Sequence, residues 1–162
     1  MAELTHLEDK LGEVVGLAMA AQTATDKISK LVDQDDLATM LKRMHAEAAQ
    51  AEERGTKLIG GLEGKKTAIL EKATETKGKA GKMMSTYLDS DADDLDGFEF
   101  LTMAEAGEVG HWKVLQQMGE SAGDRAVTEF ASWGVPIQER HLKDVQSACT
   151  KLAAEEDPNE PA

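Results

Sequence analysis

Three features of the sequence predict an all-α protein. Ala, Glu, Lys, Leu and Met dominate, aromatic residues make up 4%, and two of the only three prolines fall in the last five residues. Apolar residues recur at steps of three and four through most of the chain, which gathers them on one face of a helix. Short clusters of Gly, Asp and Ser break that rhythm and mark the connections. At 162 residues the chain suits one domain with a real core, expected over 1–157, followed by a disordered acidic tail over 158–162.

The first helix is expected from about Thr5 to Val32. Thr5 and Glu8 have the spacing of a capping box, and Leu7, Leu11, Val14, Ala18, Ala21, Thr25, Ile28 and Leu31 form its stripe. Ala18, Ala20, Ala21 and Ala24 would let a neighbouring helix approach closely. Glu13 lies at the stripe's edge and is a weak ligand candidate. Asp33–Asp36 breaks the pattern and offers N-cap residues. A second helix then carries Leu37, Met40, Leu41, Met44, Ala48, Ala51 and Leu58, with Glu47 in the inward band and His45 at its margin.

Gly60, Gly61 and Gly64 end or bend that helix. From Lys65 to Leu88 the spacing is still helical, but the apolar face is weak and Lys is frequent, which suits a long connecting helix lying against the rest. Ser90–Gly97 is acidic, yet with Gly97 at the sixth position of a calcium loop the twelfth would be Met103 rather than Glu, so a turn and cap is expected. The next helix is expected to run to about Met118, with a turn over Gly119–Asp124. In the last helix Val127, Phe130, Trp133, Ile137, His141, Val145, Ala148 and Leu152 share a face, and Pro136 should kink it or force a bulge.

The chemistry concentrates in the helix before last. Phe98, Leu101, Glu105, Glu108, Trp112 and Leu115 fall on one face, so two carboxylates sit in an apolar stripe with His111 one turn beyond Glu108. A buried lone carboxylate costs several kcal/mol, so such residues keep a partner or bind a metal. Acids projecting into a helical core are the side chains from which carboxylate-bridged metal sites are built.

The function classes narrow accordingly. A net charge of −13 disfavours a nucleic-acid backbone and an anionic membrane, so neither partner is expected. The start of the chain lacks the pattern of a signal peptide and no apolar run spans a bilayer, so a cytoplasmic location is expected. The single cysteine, Cys149, excludes an internal disulfide and falls on the last helix's stripe as a buried thiol. No phosphate loop, nucleophile elbow or Cys–His spacing supports a hydrolase or transferase.

A helix pair, a long crossover and a second helix pair make the second and third bundle helices run parallel. In this layout, and at Glu105-Ala106-Gly107-Glu108-Val109-Gly110-His111-Trp112, the chain resembles small bacterial ferritin-like proteins, especially the stress-induced branch. Pro136-Ile137-Gln138-Glu139-Arg140-His141-Leu142 is similar to that family's final helix, where Glu-x-x-His supplies a carboxylate and an imidazole. The resemblance implies a ferritin-like four-helix bundle with a helical crossover and an iron or manganese site in its core. It points to Glu47, Glu105, Glu108, Glu139 and His141 as ligands, His111 joins them as a candidate from its place one turn beyond Glu108, and homo-oligomers through helix faces would follow. Gln138 stands where the family has Glu, Gln50 where it has His, and only Ala18 and Gln22 lie at the depth of the first helix's Glu. That incomplete set leaves a non-catalytic scaffold or interaction protein as the alternative.

Overall fold

The computed structural model describes residues 2–161, so Met1 of the expected domain and Ala162 of the expected tail lie outside it. The described residues form five helices and no strand: α1 (His6–Ser29), α2 (Asp35–Gly60), α3 (Lys66–Tyr87), α4 (Asp94–Ala122) and α5 (Arg125–Ala153). None is long and apolar enough to cross a membrane.

Local chemistry sets the ends. The Thr5 hydroxyl accepts from the Glu8 amide at 3.2 Å and the Glu8 carboxylate accepts from the Thr5 amide at 2.8 Å, the expected capping box. Asp93 and Asp96 build a second one at the start of α4, so the acidic stretch is a cap. The α2 N-cap is Gln34, which makes no side-chain cap bond despite its acidic neighbours. Gly64 takes φ +75 just before α3 and Gly123 takes φ +64 at the end of α4, values that favour residues without a Cβ. Helix α4 runs through Gly119, beyond the expected end at Met118, because Gly119 packs so tightly on Thr128 of α5 that a Cβ would fall 2.9 Å from its hydroxyl. Helix α5 is continuous across Pro136.

Cross-helix pairs fix the directions. Gln22 of α1 bonds Glu52 of α2, while Thr25 lies 3.2 Å from His45, so the two helices are antiparallel. Lys72 of α3 pairs with Asp9 of α1 at 3.1 Å and Lys27 of α1 donates to the carbonyl of Leu88 at 2.9 Å, so α3 runs parallel to α1. Helix α3 packs mainly along α1, where Gly16 brings the backbones together: a Cβ there would collide with the Ala73 carbonyl. The contacts His111–Lys10 and Gly97–Ile28 make α4 antiparallel to α1, and Glu105–His141 with Trp112–Gly134 make it antiparallel to α5. Helices α2 and α4 therefore run parallel on either side of the helical crossover.

The core has two apolar parts. One gathers Val15, Ala51, Trp112, Phe130 and Ala131, and the other Leu41, Met44, Phe98, Leu101 and Val145. Between them, along α4 and α5, lie Glu105, Glu108, Gln138 and His141, all buried.

Candidate functional site

The polar layer exists because the three-and-four spacing of α4 holds over its whole length. Phe98, Leu101, Trp112 and Leu115 are buried, and the same face carries Glu105 and Glu108 inward at 1% and 4% exposure. On α5 the stripe that buries Phe130 and Val145 carries Gln138 and His141 inward in the same way. Trp112 occupies the notch of Gly134, where a Cβ would fall inside its ring, and this locks the two helices in register. With Trp112 opposite Gly134 and Glu105 opposite His141, Gln138 falls level with Glu108.

His141 is the hub. Its Nδ1 lies 3.5 Å from Glu105 Oε2 and its Nε2 lies 3.6 Å from Glu47 Oε1, so one imidazole stands between carboxylates of α2 and α4. Glu47 is also held from outside, by a bond from Arg140 and by Arg43 at 3.6 Å. Burial, and then the charge of Glu105 beside it, push the Glu108 carboxyl well above the usual carboxylate range. Six buried polar atoms of this region lack a hydrogen-bond partner: Glu47 Oε1, Glu105 Oε2, Glu108 Oε2, Gln138 Oε1, His141 Nε2 and Trp112 Nε1. Four of the six are oxygens, so the layer holds an excess of acceptors over donors.

Glu47, Glu105, Glu108 and His141 thus stand in or beside this layer, whereas His111 and Glu139 do not join it. Glu139 is half exposed and pairs with Lys113 at 2.7 Å, because it sits one position past Gln138 and so on the outer side of α5. His111 turns toward α1, with its Nδ1 3.3 Å from Glu13 and 3.1 Å from Lys10. There burial pushes the Glu13 carboxyl up, but Lys10, His111 and Lys72 outweigh it and hold it below its ordinary range. Burial, and then Lys10, push the His111 imidazole down. Glu13, the weak ligand candidate, belongs to this network rather than to the buried layer.

Three contributors were not legible as site residues. Gln138 is buried where a Glu was sought, and the helical spacing that ends on His141 already places it inward. Arg43 and Arg140 close over Glu47 from two helices, a convergence that no spacing within one helix reveals.

The donor set is chemically that of a hard divalent cation: carboxylate and amide oxygens with one imidazole. Among the described residues, no three His, Cys, Asp or Glu side chains already stand close enough to share one ion. No protein-family model matches this chain, nor does any curated protein sequence.

Proposed function

We propose that this chain is a ferritin-like bundle that holds a single divalent cation, iron(II) or manganese(II), in the polar layer between α4 and α5. The observation that carries the proposal is the group of buried, unpartnered acceptors on Glu105, Glu108 and Gln138, in the same layer as the His141 imidazole that lies beside Glu105. Burying such oxygens with no partner costs free energy that a cation would recover. Glu105, Glu108, the Gln138 amide oxygen and His141 Nδ1 would hold the ion. Glu47 would accept from the Nε2–H of His141 and fix its tautomer, as outer carboxylates do for metal-bound imidazoles. Arg43 and Arg140 hold the Glu47 carboxylate in place for that task. The bound ion would supply a redox-active or Lewis-acidic centre shielded from bulk water. The parallel run of α2 and α4 across a helical crossover supports the ferritin-like reading.

Titration with manganese(II), or with iron(II) under anaerobic conditions, should raise the melting temperature through linkage. Replacing Glu105 and Glu108 together by Gln should abolish that rise. A shift of equal size in the double variant would defeat the proposal.

A second reading, a scaffold that keeps the layer without metal, is favoured by one observation. The two arginines already neutralise Glu47, and α1 brings Ala18 to the core where a fourth carboxylate would be needed. Under that reading neither cation changes the melting temperature of the native chain.

A further inference from the structure

Helix α3 follows α1 closely at its N-terminal end, but its second half carries Gly78 and Gly81 and leaves part of α1 and α4 uncovered. A pocket of about 260 Å³ opens there between the three helices. Leu17, Ala21, Met84, Phe100, Leu101 and Ala104 wall it, and the exposed Met83 and Met103 stand at its mouth. Its volume lies just under the range of sites for drug-sized ligands, so the occupant is smaller. Thioether side chains at the mouth adapt to hydrocarbon of varied shape.

Lys77 and His111 stand at the pocket's rim, the first exposed and the second 40% exposed, and one ionisable side chain lies deeper. Glu108 enters from the core side, 4% exposed; its Oε2 is sealed in the core, so the carboxyl meets the pocket through Oε1, which makes no hydrogen bond to the described residues. A carboxyl oxygen accepts a hydrogen bond whether or not the group carries a proton, so an occupant that brings a donor satisfies it. A charged occupant would lose its water among apolar walls, and an anion would also meet Glu105 behind Glu108. The requirement is therefore a neutral molecule with a hydrocarbon body and a single donor.

We infer that the pocket binds a small neutral, mostly hydrocarbon molecule whose one hydroxyl or equivalent donor seats on the Glu108 carboxyl. The inference does not require the cation, but both would use the Glu108 carboxyl, so the assay contains a chelator to keep the two distinguishable.

The test titrates the full chain, in chelator, with fluorescent 1-naphthol and with 1-methylnaphthalene, which matches its shape without a donor. The native chain should bind naphthol about tenfold more tightly. In Glu108→Leu the two probes should come within about twofold of each other. In Gly107→Phe naphthol binding should weaken about tenfold, because residue 107 lines the pocket and a Cβ there meets open space, so the new ring fits the helix and fills the cavity. The comparison of probes on the native chain needs no variant to fold. Equal binding of both probes by the native chain, binding of neither, or naphthol binding untouched by Gly107→Phe would overturn the inference.

Discussion

Helix α4 contributes to two groupings of histidine with carboxylate, His111 to one and Glu105 and Glu108 to the other, and they differ in kind. Around His111, every charge has an answer: Lys10 and Lys72 flank Glu13, Asp9 takes Lys72, and water reaches the ring, which is 40% exposed. Around His141, which is 2% exposed, two carboxylates face one imidazole and several atoms of the layer have no partner. The first is a network that holds α1, α3 and α4 together at the surface. The second leaves chemical capacity unused in a place where unused capacity is costly. Residue type alone does not separate a site from a surface network; what separates them is whether the bonding capacity is already spent.

Truncating the two histidines should break the comparison most visibly. His141→Leu removes the group between Glu47 and Glu105 and leaves the buried Glu105 carboxyl without its imidazole neighbour, which should cost about 3–5 kcal/mol of unfolding free energy in urea. His111→Leu should stay within about 0.5 kcal/mol, the scale of a surface change. Similar losses for both would mean that the buried layer is no more demanding than the exposed network.

The Glu108 carboxyl sharpens it next. Because burial and Glu105 raise its folded value above the ordinary 4.5, the folded chain keeps a proton that the unfolded chain releases. Stability from this group is full below the unfolded value and is lost as pH rises through the folded one. Glu108→Gln keeps the shape without that loss, so in metal-free protein its advantage over the native chain should grow from pH 4 toward pH 8, reaching about 1–3 kcal/mol. A difference in urea midpoint independent of pH would contradict this.

The smallest effect belongs to His111. Its folded value lies below the ordinary 6.5, so the unfolded chain takes up the proton first as pH falls. Its contribution is present above the unfolded value and fades below it. A slight drop in melting temperature on acidification below that point should vanish in His111→Gln.

Much of this was legible in the sequence, and the limits have a physical form. The periodicity of α4 placed Glu105 and Glu108 inward because burial on a helix follows the spacing of its apolar neighbours. It equally placed His141 inward on α5. The same spacing put Glu139 on the outer side of α5, where the Glu-x-x-His pattern had drawn it in as a ligand. His111 was drawn in by its nearness to Glu108 in the chain, whereas three residues along a helix turn a side chain by nearly a full turn less 60°, enough here to aim it at α1. The close approach of α1 to α3 runs through Gly12 and Gly16, which the apolar stripe does not mark, since contact between backbones depends on the partner helix, which no single segment specifies. The arginines over Glu47 escaped for the same reason.

The most direct test of a cation in the buried layer is pulsed electron paramagnetic resonance of the manganese(II)-loaded chain, which reads nitrogen bound to the metal. The account predicts a coupling to one imidazole nitrogen, retained in His111→Gln and lost in His141→Gln. A spectrum without nitrogen coupling, or one in which the coupling survives the loss of His141, would contradict it.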